Sequence, residues 1–169
     1  IPKKFIDYPE FGCINVHFSV LPKYRGAVPI QKAILDGEKT TGISIMLISE
    51  GLDEGDILEI FEEDIKEDDT NLSLRQRLVK KSAEVLGDVL EEWINGGISS
   101  RQQNPELATY CWQKDISKEN AEINWEAMEP EYIERLVRAM IPWPVAWCIW
   151  QNKRIQILKS TLIKKQSNR

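Results

Sequence analysis

An apolar run interrupted at every second position, Asn15-Val16-His17-Phe18-Ser19-Val20-Leu21-Pro22, sets the tightest limit on how this chain can fold. Successive side chains of a strand point to opposite faces, so Ile14, Val16, Phe18 and Val20 are directed at a core while Asn15, His17 and Ser19 line up together. Pro22 has no N–H to give a ladder and ends the strand. The polar row therefore sits at the strand's C-terminal end, where open α/β sheets carry their sites. His17 is the only histidine among 169 residues. Taken alone it fits an ordinary satisfied core side chain; the segments that follow shift the reading toward a site.

Tyr24-Arg25-Gly26-Ala27-Val28-Pro29 is a tight basic turn leading into a short helix, with Pro29 suited to the first helical position and Ile30, Ala33 and Ile34 on one face. Arg25, alone in a turn, is expected at the surface, solvated or salt-bridged. Thr41 to Ile48 reads as a second apolar strand, and the turn-rich Ser49 to Asp56 holds Asp53 in a loop. Ile57 to Ile65 alternates imperfectly, as an outer strand does. Thr70 caps a helix in which Leu74, Leu78, Val85, Leu86, Val89, Leu90 and Trp93 recur at helical spacing, and Gly96-Gly97 ends it. Ser99 to Pro105 has linker composition. Beyond it, Pro130 opens a helix with Ile133, Leu136, Val137 and Met140 on its apolar face, stopped by Pro142 and Pro144. Trp143 and Trp147 lie near a helix-to-strand joint and are expected in the core. Val145 to Trp150 and Arg154 to Leu158 read as a hairpin. The fold class is α/β, an α/β unit followed by a second, smaller one.

Several of these segments, in order and spacing, resemble the folate-dependent formyltransferases, and most closely the members that act on methionyl-tRNA. The resemblance rests on Gly12-Cys13-Ile14-Asn15-Val16-His17, Ser19-Val20-Leu21-Pro22, Tyr24-Arg25-Gly26-Ala27-Val28-Pro29-Ile30-Gln31, Thr41-Gly42 and Gly51-Leu52-Asp53-Glu54-Gly55-Asp56-Ile57-Leu58. Thr109-Tyr110, Ile123-Asn124-Trp125 and Ile141-Pro142-Trp143-Pro144 extend it through nearly the whole chain. It implies part of a Rossmann-like catalytic domain over residues 1–104, a linker over 105–117, and over 118–169 the start of a tRNA-contacting domain, a small β-barrel of the oligonucleotide-binding type. The implied reaction moves a formyl group from 10-formyltetrahydrofolate to the α-amino group of methionine carried by initiator tRNA. Asn15, His17 and Asp53 fall on the family's catalytic positions, and Ser19, Val20, Leu21 and Pro22 border its folate site. Phe18 departs from the glycine many members carry there, and Val20 from their leucine. Sugar-nucleotide N-formyltransferases and glycinamide ribonucleotide formyltransferase share the Asn, His and Asp logic, and a catalytically silent fragment that binds only tRNA or folate remains a further alternative. Relative to the family, the chain reads as a fragment that lacks the first βαβ portion and the end of the second domain.

Charge is segregated along the chain. The net −5 contains eleven acidic residues between Glu50 and Asp69 against Lys66 alone, whereas Gln151 to Arg169 holds six basic residues and no acid. The acidic run reads as a solvated face that repels nucleic acid locally; the basic end suits a phosphate partner. Cys13, Cys111 and Cys148 form no C-x-x-C pair, so neither a disulfide framework nor a zinc site is indicated, and no metal is assigned. No run is apolar enough to span a bilayer. The expected partners are initiator methionyl-tRNA and the folate co-substrate, for a monomeric cytoplasmic enzyme.

Overall fold

The computed structural model describes residues 2–163. Its first elements are a one-turn helix α1 (Lys3–Ile6), β1 (Ile14–His17), the two-residue strand β2 (Arg25–Gly26), α2 (Pro29–Asp36), β3 (Thr40–Leu47) and β4 (Ile57–Asp64). The long helix α3 (Asn71–Ile94) follows, then β5 (Tyr110–Cys111), α4 (Pro130–Ala139) and a terminal hairpin of β6 (Trp147–Trp150) and β7 (Lys153–Gln156). A three-stranded sheet runs in the order β1-β3-β4. Both of its pairings are antiparallel, with Asn15 opposite Met46 and His17 opposite Ser44. β2 pairs with β5 in parallel. The class is α/β, and β4 is the outer strand expected from its alternation.

Local chemistry explains the helices. Pro29 occupies the first turn of α2, and Gly37, at φ 75°, closes it with the left-handed conformation glycine tolerates. Thr70 caps α3 reciprocally: its hydroxyl accepts from the Ser73 N–H at 3.2 Å and the Ser73 hydroxyl accepts from the Thr70 N–H at 3.0 Å. One sheet face, through Ile43 and Ile45, packs on Leu74, Leu78 and Val89 of α3. The core continues without a break through Ile30, Ala33 and Ile34 of α2 into Ile133, Leu136 and Val137 of α4. Periodicity of 3.6 thus built the same stripe in all three helices.

Four expectations are corrected. β1 ends at His17, not at Pro22, so Ser19 is not part of a strand row. The chain turns over the sheet's second face at Phe18, which leaves His17 and Ser19 more deeply buried than Ile14, Val16 and Val20. Arg25 is buried, 3% exposed, because β5 and the 101–104 segment close over the turn. Trp143 stands 51% exposed, whereas the Trp147 indole N–H donates to the Lys118 carbonyl at 2.7 Å and Arg154 lies 4.2 Å over its ring. At the C-terminal end the described residues contain the hairpin, turned at Gln151 and Asn152 with φ 49° and 59°, the left-handed pair a two-residue turn requires. The expected barrel is not among the described residues. Lys164, Lys165 and Arg169 of the basic end lie outside them.

Candidate active site

β1 delivers two polar side chains to the sheet face away from α3. Asn15 is half-buried, and among the described residues its amide makes no hydrogen bond, so its donor is available to a reacting group. His17, at the strand end, is buried. Its Nε2 lies 2.8 Å from the Tyr24 carbonyl oxygen, an atom that can only accept, so this nitrogen carries hydrogen. The second nitrogen, Nδ1, is directed at Asp53 Oδ2 at 3.6 Å, an ion-pair distance rather than a hydrogen bond. The carboxylate, thirteen positions past the start of β3, is thereby brought to the imidazole.

Each of these groups is held by others. The Gly26 N–H donates to Asp53 Oδ2 at 2.8 Å. Gly26 has φ 118°, and a Cβ there would run into the Cys111 carbonyl, so only glycine lets β2 lie this close to β5 while aiming its N–H at the carboxylate. Tyr24 is fixed at the other end of its side chain, where the phenol lies 3.2 Å from Asp36 Oδ2 and 3.0 Å from Glu38 Oε1. Burial, Asp36 and Glu38 together push that phenol well above its ordinary pKa, so it stays a donor. Asp53 itself adopts φ 50°, the left-handed region an aspartate enters at modest cost.

The four residues expected to border a folate, Ser19, Val20, Leu21 and Pro22, divide in two. Ser19 is fully buried and donates to the Lys23 carbonyl at 2.6 Å; Leu21 packs on Met46 and Ile57. Val20 and Pro22 keep part of their surface. Ser44, in the middle of β3, clasps this loop: its hydroxyl donates to the Ser19 carbonyl at 2.7 Å and accepts from the Leu21 N–H at 3.0 Å.

Two residues of the site were invisible to sequence reasoning or misplaced by it. Gln103, in the segment of linker composition, is buried. Its Nε2 donates to the carbonyls of Asp53 and Gly55 at 2.9 and 2.8 Å, and its Oε1 accepts from Arg25 Nε and Nη2 at 3.0 and 2.8 Å. One amide therefore ties the Asp53 loop to a buried guanidinium whose nearest carboxylate oxygen, on Glu54, is 3.9 Å away. A polar residue three places after a Ser-Ser pair carries no signal of this. The linker segment also pairs with β2, since Thr109 accepts the Arg25 N–H at 2.8 Å and Cys111 the Ala27 N–H at 3.0 Å. Burial pushes the Cys111 thiol up, which suits it to packing rather than nucleophilic attack. A cavity of about 490 Å³ opens beside these groups, lined by Arg25, Ser49, Glu54, Gln103 and Pro105 among others. Among the described residues no cluster of His, Cys, Asp and Glu side chains is arranged to hold a metal ion, and no helix is long and apolar enough to cross a membrane.

Such a site can bind an acyl-type carbon between an amide donor and an imidazole–carboxylate pair. The formyl transferase family model matches residues 1–90, and the model of the formyl transferase C-terminal domain matches residues 115–169. A methionyl-tRNA formyltransferase of Halalkalibacterium halodurans is 43% identical over 157 residues, 93% of this chain and 49% of that protein. The methionyl-tRNA formyltransferase of Caldanaerobacter subterraneus is 40% identical over 168 residues, 99% of this chain and 53% of that protein. The chain spans about half the length of the curated relatives it matches. Among solved structures, an N-formyltransferase from Helicobacter canadensis in complex with folinic acid and dTDP-3-aminofucose superposes with a TM-score of 0.77 at 26% identity, over 92% of this chain and 56% of that one.

Proposed function

This chain belongs to the formyl transferase family, and from that premise we propose that it carries the reacting groups of an enzyme that moves the formyl group of 10-formyltetrahydrofolate to the α-amino group of initiator methionyl-tRNA. The observation that carries the reading is the pair of His17 Nδ1 and Asp53 Oδ2 at 3.6 Å, two residues from Asn15 on one strand face. The acceptor follows the 43% and 40% identical relatives rather than the more distant sugar enzyme.

In the reaction a neutral amine attacks the formyl carbon, a C–N bond forms and the bond to folate N10 breaks. The oxygen of the tetrahedral intermediate gains negative charge, the attacking nitrogen sheds a proton, and N10 takes one up. Asn15 donates to the oxygen. His17, held through Nε2, exchanges a proton at Nδ1 with Asp53 or stabilises the same charge as imidazolium. Asp53 takes the amine's proton directly or through His17, and its return to N10 balances the count. Val20 and Pro22 border the folate; Ser19 and Leu21 act from beneath by fixing that loop. Residues 1–104 form the catalytic part, 105–117 the connection and 118–169 the start of a tRNA-contacting domain, in a cytoplasmic monomer.

The test is single-turnover formylation by the full-length protein that contains this chain, offered 10-formyltetrahydrofolate with methionyl-initiator tRNA or with a dTDP-amino sugar. Formylmethionyl-tRNA is the expected product. Formylation of the sugar alone would overturn the acceptor, and no transfer to either would overturn the enzyme reading.

A further inference from the structure

Tyr110 of β5 and Trp112, one residue past the strand's end, lie two positions apart and share a face, while Cys111 between them is fully buried. Their rings are stacked, 5.8 Å between centroids and 5° between planes, and both stand nearly half exposed, at 45% and 47%. A parallel aromatic pair left in water is an unusual use of apolar surface. Its neighbours belong to the site. Arg25 pairs in register with Tyr110, donates from Nη1 to the phenol oxygen at 3.4 Å, and is joined through Gln103 to the Asp53 loop. Gly26, in register with Cys111, donates to Asp53. One strand spacing, roughly 5 Å, therefore separates β5 from β2, whose Gly26 N–H binds the carboxylate of the Asp53 loop.

We propose that Tyr110 and Trp112 form a stacking platform for the terminal adenine of the methionyl-tRNA acceptor end. This rests on the acceptor reading above. The chemistry of the platform selects a base: a flat, half-exposed π-surface continues a parallel stack, and a nucleobase presents such a face. The location fits as well, because the esterified amino acid hangs from the ribose of that same nucleotide. A base stacked here places the amine toward Asp53 without any contact of the platform with the reacting atoms, which makes Trp112 a positioning residue.

The experiment compares full-length wild type with Trp112→Ala and Trp112→Phe. For methionyl-tRNA, Trp112→Ala should raise KM about tenfold, the size expected for loss of one stacked base, with kcat and the folate KM within about twofold, and Trp112→Phe should restore most of it. As inhibitors, the trinucleotide CCA and the same oligonucleotide with an abasic third residue supply the direct readout. Wild type should prefer CCA about tenfold, and Trp112→Ala should lose that preference. An unchanged methionyl-tRNA KM, or a preference for CCA kept by Trp112→Ala, overturns the platform while leaving the acceptor reading intact. Absence of formylmethionyl-tRNA from wild type overturns the acceptor reading and the platform's occupant with it.

Discussion

Asp53→Asn isolates the charge at the centre of the proposed chemistry, because asparagine keeps an oxygen for the Gly26 N–H and so keeps the loop in place. With Nδ1 and Oδ2 3.6 Å apart, an imidazolium and a carboxylate attract by about 4–5 kcal/mol at an effective dielectric of about 20. The Asp53 side chain is 19% exposed, and solvent screening brings the useful part to about 2–4 kcal/mol. At about 1.4 kcal/mol per decade, turnover should fall roughly 30- to 1,000-fold. Binding of the folate depends on other groups, so its KM should stay within about threefold. The assay is single-turnover formylation at saturating methionyl-tRNA, combined with a cycle of Asp53→Asn, His17→Ala and the double variant. Residues acting as one unit are non-additive, so the double variant should cost about as much as the worse single. A turnover within threefold of wild type in a properly folded Asp53→Asn protein, or strictly additive losses in the cycle, would refute the coupling of imidazole and carboxylate.

Gly26→Ala should lower the thermal midpoint by several degrees in a scanning calorimeter, because the added methyl meets the Cys111 carbonyl and the backbone sits at φ 118°; an unchanged midpoint would mean that β2 and β5 are not this close. Gln103→Leu leaves two backbone carbonyls and the Arg25 guanidinium without their partner, so urea denaturation should show a loss of about 2–4 kcal/mol and turnover should drop, whereas Gln103→Glu should recover part of the stability by pairing with Arg25. Asp69 gives a pH signature. Burial opposes its charge, but hydrogen bonds from Arg77, the Lys66 N–H and Ser73 hold its carboxyl below the usual range. A depressed carboxylate stabilises the fold above its unfolded value, near 3.8, and that contribution is lost as pH falls through the lower folded value. Acid unfolding followed by circular dichroism should therefore be shallower for Asp69→Asn, and identical acid limbs would argue against the cluster.

The helices and strands were legible because each is encoded locally: Pro29 and Pro130 at helix starts, Thr70 with Ser73 as a cap, and apolar periods of 3.6 and 2 between them. The motifs named Asn15, His17 and Asp53 as candidates, alternation put Asn15 and His17 on one face, and the structure brings Asp53 to His17. What stayed hidden was tertiary. Pro22 was a reasonable strand stop, yet the chain leaves the ladder at Phe18 because Ser44, a residue with no local signature, draws the Ser19–Leu21 loop over the sheet. Arg25 reads as a surface charge in any window of its neighbours; its burial depends on Gln103 arriving 78 positions later. Hydrogen bonds from a side-chain amide to backbone carbonyls leave no trace in composition, so a stretch that reads as linker turned out to hold the site together.

The acidic stretch from Glu50 to Asp69 shows why linear charge misleads about a site. Read along the chain it surrounds the proposed catalytic carboxylate with repulsion for an RNA acceptor. In space its charges are dispersed. Asp53 faces His17 and the Gly26 N–H, Glu54 faces Arg25, and Glu63 and Asp69 are gathered by Arg77 and Lys81 of α3. Glu62 and Asp64 remain exposed, but the register pairs them with Gly42 and Thr40, two and four positions beyond the Ser44 that faces His17. Strand rise and spacing place them roughly 12 Å or more from the imidazole, at or past the screening length of about 8–10 Å at ordinary salt. Of the carboxylates named, Asp53 and Glu54 beside the site have partners and Glu62 and Asp64 lie far from it, so the sum over the segment overstates the negative charge that His17 meets.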